Sequence, residues 1–223
     1  MIPWVQLDTA SVPGGGQLRL IRRGAEFAIM LGNNPLMNSR LFGSEQALAT
    51  LACARLQHCP APAVLIGGLG MGFTLRAALT ALGPLAQVTV AELLPAVIAW
   101  ARGPMAEVFG GSLDDARVSL RAADAGALIR ASRAAFDAIL LDVDNGPEGL
   151  TRAGNDALYT LAGLRAASAA LRPGGVLTVW SQGPDAAFTA RLHQAGFAAE
   201  AVKVRADRGK GGSRHVVWVA VRG

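Results

Sequence analysis

AVLIGGLGMG, residues 63–72, decides the fold. Its first half is a short apolar run, and its second half sets Gly67, Gly68, Gly70 and Gly72 around Leu69 and Met71. A brief apolar run bounded by glycine reads as a strand buried on both faces. The glycines permit a sharp turn into the helix expected over 72–82, and they let a ligand touch the backbone with no Cβ in the way. The spacing is G-x-G-x-G at 68, 70 and 72. It is not the dinucleotide G-x-G-x-x-G, because position 73 is phenylalanine.

Outward from this stretch, strand and helix signals alternate. QVTVAE (87–92) reads as a strand, and 95–108 as a helix with Pro95 at its first position. ARVSLRA (116–122) is a third strand, followed by a helix over 124–132. FDAILLD (136–142) is a continuous apolar strand ending in an acid. An alanine-rich helix over 155–171 closes at Arg172-Pro173-Gly174-Gly175, and VLTVWS (176–181) is the fifth strand. After a helix over 185–195, AEAVKVRA and SRHVVWVAVR pair around 209–212, so the last strand runs antiparallel. The expectation is an α/β fold: a doubly wound, mainly parallel sheet with helices on both faces. Toward the N-terminus the texture changes. Residues 17–21 and 26–31 alternate as a β-hairpin, 32–40 reads as a loop, and 44–56 reads as a helix capped by Ser44. The chain is divided into a small N-terminal segment (1–60), lying over one edge of a site, and a nucleoside-binding domain (61–223).

Composition narrows the class. Of 223 residues, 52% are hydrophobic and 17% charged, which excludes global disorder. Mean hydropathy is +0.34, yet no uninterrupted apolar run approaches the roughly 18–20 residues of a spanning helix. MIPWVQLDTA lacks the basic and apolar regions of a signal peptide, and a cytoplasmic protein without a membrane partner is expected. Cys53 and Cys59 read as reduced thiols, with no metal site. The net charge of +5 includes a late basic cluster (Lys203, Arg205, Arg208, Lys210, Arg214). A solvated hairpin accounts for that cluster better than a nucleic-acid contact.

In open α/β sheets ligands bind beyond the carboxyl ends of the strands, where strand order reverses. Glu92 ends the second strand, 20 residues after Gly72, where a carboxylate can accept both ribose hydroxyls. Asp124, in RAADAGAL, can accept from an adenine amino group, cap the following helix, or do both. The fourth strand ends in Asp142-Val143-Asp144-Asn145-Gly146-Pro147. An acid at the end of an apolar strand is partly desolvated and suited to accept a proton; Asn145 and Gly146 also fit an Asx-type turn. His58, His193 and His215 show no metal-ligand or triad spacing and read as structural or exposed.

VLIGGLGMGFTLRAAL, VTVAELLPAVIAWAR, the acid in RAADA, FDAILLDVDNGP and LRPGGVLTVWS, in this order, resemble the spermidine synthase family of aminopropyltransferases. The resemblance covers roughly 17–221 and lies within the class I methyltransferase superfamily, implying its Rossmann-like fold. It implies that Gly68, Gly70, Met71 and Gly72 wrap the ligand, that Glu92 with Leu93 takes the ribose, and that Asp124 with Ala125 takes the adenine. Asp142, with Asp144, would deprotonate the attacking amine; Ser44, Glu45 and Asn145 would face the acceptor. The implied co-substrate is decarboxylated S-adenosylmethionine, or S-adenosylmethionine itself, with no metal and a homodimeric assembly. Several positions depart from the family pattern. Met71 stands where the family carries an aspartate, Ser44 and Glu45 where it offers tyrosine and glutamine, and Asn145 where it has a second aspartate. The basic 205–214 segment replaces the motif closing the polyamine pocket. Aminopropyl transfer to an amine is therefore the first reading. An S-adenosylmethionine-dependent methyltransferase with an anionic acceptor is the alternative, and a non-catalytic nucleoside-binding module is the third.

Overall fold

The computed structural model describes residues 2–12, 16–143, 153–206 and 214–223. The N-terminal hairpin is present as β2 (Gln17–Arg23) and β3 (Glu26–Leu31), but it belongs to a four-stranded antiparallel sheet with β1 (Val5–Ser11) and β4 (Asn34–Asn38), in the order β1-β2-β3-β4. Neither added strand announces itself in sequence. β1 is exposed along most of its length, so it shows no clean alternation of buried and exposed residues. β4 contains Pro35 between Asn34 and Leu36, residues suited to an edge. Leu18, Leu20, Phe27 and Ile29 form the buried face of this sheet and join one hydrophobic cluster with Leu48, Leu75 and Val97.

α1 (Gly43–Cys53) links the two sheets and packs on α2 (Phe73–Ala81) and on β9 (Leu171–Ser181) and β11 (Arg214–Arg222). It starts one residue earlier than expected and carries no side-chain cap. Ser44, expected as that cap, lies inside the first turn, 1% exposed, with its hydroxyl committed elsewhere.

The second sheet has seven strands in the order β10-β11-β9-β8-β5-β6-β7. β5 (Ala63–Gly67), β6 (Gln87–Glu92), β7 (Val118–Ala122), β8 (Phe136–Leu141) and β9 are parallel neighbours. β11 lies antiparallel to β9 and β10 (Phe197–Arg205) antiparallel to β11. Alternate residues of the central strands supply two separate cores. Val64 and Ile66 face the cluster that holds α2 and the N-terminal sheet, while Leu65 faces the other. Strand order reverses between β5 and β8, which opens a crevice at their carboxyl ends.

Two expected helices are broken. The stretch 95–108 divides at Gly103 into α3 (Pro95–Arg102) and α4 (Ala106–Phe109). The alanine-rich stretch divides into α6 (Ala153–Tyr159) and α7 (Leu161–Ala170), because the Thr160 hydroxyl between them accepts from the Gly163 N–H and starts a new helix. α5 (Ala125–Ala131) and α8 (Ala186–Gln194) complete the layers. Among the described residues no helix is long and apolar enough to cross a membrane.

Candidate functional site: two cavities meeting at Asp142

The loop after β5 sets the geometry. Gly68 has a φ of +91°, and a Cβ there would run into the carbonyl oxygen of Asp142. Only glycine lets the ends of β5 and β8 approach so closely. Gly72, with a φ of +77°, precedes α2 where a Cβ would collide with the Phe109 ring. The Asp142 N–H donates to the Gly67 carbonyl at 2.9 Å, which holds Asp142 beside the glycine loop.

On the β6 side lies a cleft of about 130 Å³. Glu92, 8% exposed, points into it and accepts from Leu69 N–H at 3.0 Å and Leu94 N–H at 2.8 Å. Burial pushes its carboxyl up, and the backbone N–H bonds oppose that shift. The Gly70 and Leu93 N–H groups also act on this carboxyl, which ties it to the glycine loop and to the end of β6. Leu93, Asp124, Ala125, Gly68 and Gly70 line the same cleft, and Ile29, Leu36 and Met37 of the N-terminal sheet border it. Asp124 caps α5 by accepting from Gly126 N–H at 2.7 Å and pairs with Arg130 at 3.6 Å. It is a helix cap and a wall of the cleft at once.

On the α1 side lies a second cavity of about 270 Å³. It collects Ser44, Glu45, Met71, Gly72, Trp180 and His215, and it shares Leu36, Met37, Gly70 and Asp142 with the first. Asp142 accepts from the Thr74 hydroxyl at 2.5 Å. Desolvation pushes its carboxyl up to about 6, with the Thr74 bond pulling the other way. Glu45 is pushed up to about 7 by burial and then by the charge of Asp142. The Ser44 hydroxyl donates to Glu45 at 2.8 Å, and His215 Nδ1 lies 2.9 Å from the same hydroxyl oxygen. The His215 ring meets the Trp180 ring edge-on, with centroids 4.7 Å apart. Burial holds the imidazole below its usual value.

Of the residues expected around the nucleoside, six line the first cleft, while Met71 and Gly72 line the second cavity. Ser44 and Glu45 share that second cavity with Asp142. Asp144 and Asn145 lie outside the described residues. His58 and His193 are exposed, and His215 is half-buried in the cavity wall. Its place follows from topology. β11 is antiparallel to β9 with Val216 opposite Ser181, so the first residues of β11 lie at the ligand-facing end of the sheet. Thr74 and Trp180 carry no signal in sequence, because only the fold brings them to Asp142 and His215. Among the described residues no cluster of acidic, histidine or cysteine side chains is arranged to hold a metal.

Comparison with known proteins adds to this geometry. Residues 45–194 match the spermine/spermidine synthase domain. Over 134 residues the chain is 36% identical to the polyamine aminopropyltransferase of Mycobacterium tuberculosis, a stretch covering 58% of this chain and 24% of that protein. The Mycobacterium bovis protein of the same name matches to the same extent. The chain thus spans only about a quarter of the length of these relatives. Among solved structures, a spermidine synthase in complex with the transition-state analogue AdoDATO superposes with a TM-score of 0.77 at 19% identity, covering 98% of this chain and 72% of that one. Spermidine synthase from Thermotoga maritima gives 0.76, with the same identity and coverage. Human methyltransferase-like protein 13, in complex with SAH, gives 0.59 at 21% identity over 78% of this chain and 80% of its own. These likenesses show a shared Rossmann-like, methyltransferase-type fold. The domain match begins at Glu45 in the acidic cavity and takes in every parallel strand of the sheet, and by it the chain belongs to the spermine/spermidine synthase family.

Proposed function

We propose that this chain is an aminopropyltransferase, joining the aminopropyl group of decarboxylated S-adenosylmethionine to an amine. One observation carries the reading: Asp142 lies on the walls of both cavities. A nucleoside held at Glu92 and an amine drawn to Glu45 therefore meet at a single carboxyl. In this account Glu92, on the wall of the first cleft, accepts the ribose hydroxyls, and Asp124 and Ala125 border the adenine. The amine arrives as an ammonium and gives one proton to Asp142, whose raised value matches neutral operation. The freed nitrogen lone pair attacks the aminopropyl carbon beside sulfur. The C–N bond forms as the C–S bond breaks, and the bonding pair stays on sulfur to release neutral methylthioadenosine. The same two carboxyls favour the decarboxylated donor, since the α-carboxylate of intact S-adenosylmethionine would meet like charge there.

Further roles rest on the family resemblance. Asp144 is proposed as a second carboxylate near the reacting amine and Asn145 as an acceptor contact. Residues 1–60 are proposed as a roof over a nucleoside-binding domain of 61–223, and the assembly as a cytoplasmic homodimer. The test is a transfer assay with purified protein, decarboxylated S-adenosylmethionine and a panel of mono- and diamines, read by mass spectrometry. Methylthioadenosine and an aminopropylated amine should appear together. Transfer of a methyl group from S-adenosylmethionine, with no aminopropylated product from any amine, would overturn the reading.

A further inference from the structure

Aminopropyl transfer leaves one proton behind in every turnover. An ammonium acceptor and a sulfonium donor become a secondary ammonium product, a neutral sulfide and H⁺. If the proposed activity holds, that proton is deposited among carboxyls in the cavity wall, Asp142 and Glu45. The walls of the larger cavity offer one continuous polar route away from them.

The route is Glu45, Ser44 and His215. An ionised Glu45 can only accept, so the Ser44 hydroxyl at 2.8 Å donates to it. The Ser44 oxygen then accepts from His215 Nδ1 at 2.9 Å, which fixes the imidazole as its Nδ1–H tautomer. When Glu45 gains a proton the order reverses in the Nε2–H tautomer: Glu45 donates to Ser44, and Ser44 donates to the free Nδ1. The imidazolium so formed releases its Nε2 proton and is left in the Nδ1–H form. Ser44 is 1% exposed, with its hydroxyl between Glu45 and His215. The three groups come from opposite walls, α1 and the start of β11. Among the described residues lining the cavity, the titratable groups are Glu45, Asp142 and His215. Arg214 and Arg205 are paired in register one residue along from His215, and adjacent strand positions point to opposite faces.

We propose that Ser44 and His215 form the proton exit of this acidic cavity, with His215 acting through Ser44 to set and reset the protonation of Glu45 and its neighbour Asp142. His215 is in this sense a positioning and relay residue. A purely structural Ser44–His215 hydrogen bond would hold the same geometry and move no proton, and the two roles differ in what can be measured.

Nitrogen-15 NMR of the imidazoles, in a chain with only 3 histidines, reads the tautomer without donor or acceptor. His215 should be the neutral Nδ1–H form at pH 7.5, and Ser44→Ala should move it to the Nε2–H form. In the transfer assay, His215→Asn keeps a donor for Ser44 but cannot carry a proton. It should lower kcat by about ten-fold or more with little change in KM. His215→Ala should regain rate in proportion to added imidazole. An Nε2–H tautomer indifferent to Ser44→Ala would overturn the proposal. So would an undiminished His215→Asn enzyme, or a His215→Ala defect that imidazole leaves untouched. If the wild-type protein transfers nothing to any amine, the proposed activity falls, whereas an Nε2–H tautomer indifferent to Ser44→Ala overturns the proton chain whatever the activity.

Discussion

At the scale of single residues, Asp142 and Glu45 share a cavity in which neither is fully solvated, and each is pushed up, to about 6 and about 7. The folded chain therefore holds their protons more tightly than the unfolded chain does. Their contribution to stability is fully present below the ordinary carboxyl values and is lost as pH rises through roughly 4 to 7. Above that window both are ionised, and their mutual repulsion and desolvation oppose folding. Asp142→Asn should raise the melting temperature at pH 8, corresponding to roughly 1–3 kcal/mol, with a smaller gain at pH 5. The same variant should lose at least about 100-fold in aminopropyl transfer. Thermal unfolding at the two pH values and the transfer assay check both halves, and a fall in stability at pH 8 would contradict the electrostatic reading.

Glu92 makes a different kind of prediction at the same scale. Its two oxygens already satisfy the Leu69 and Leu94 N–H groups. Glu92→Ala therefore removes the proposed ribose acceptors and also leaves the glycine loop unanchored. Nucleoside affinity should fall by about 10- to 150-fold, the equivalent of roughly 1.5–3 kcal/mol. Isothermal calorimetry with methylthioadenosine measures it. Glu92 is legible in sequence because its role depends on a strand end and a fixed distance from the glycines. Thr74 and His215 are not, since each acts on a partner far along the chain: Asp142 and Ser44, respectively.

At the scale of elements, the glycine loop and α2 act together. Gly72 holds a left-handed backbone against the face of Phe109, so Gly72→Ala introduces both a strained φ and a collision with α4. It should destabilise the protein by about 1–3 kcal/mol, seen as a lower denaturation midpoint. An unchanged midpoint would mean that α4 yields freely. β5, β6 and β8 are read correctly from sequence because each is a largely apolar run ended by glycine or an acid, as in 63–68 and 136–142. The helix break at Thr160 is missed because Tyr159 and Leu161 on either side are apolar, whereas the break at Gly103-Pro104 carries a breaker dipeptide that the reading of 95–108 as one helix passes over. β1 and β4 are missed for the opposite reason. They are held by strand pairing to β2 and β3 and bury little of their own.

At the scale of the whole molecule, the four-stranded and seven-stranded sheets both border the two cavities. The α/β sheet supplies the carboxyls at its switch point, and the N-terminal sheet, through Leu36 and Met37, borders both cavities. Where the family pattern places an aspartate this chain has Met71, 4% exposed and part of the apolar core. The negative charge of the site comes instead from Asp142 and from Glu45 on α1. A donor with a free ammonium and no carboxylate suits that arrangement. Calorimetric titration of the purified chain with decarboxylated S-adenosylmethionine and with S-adenosylmethionine, at matched salt and pH 8, tests this most directly. The account predicts at least about ten-fold tighter binding of the decarboxylated form, the equivalent of one charge-assisted contact. Equal or tighter binding of the intact form would contradict it.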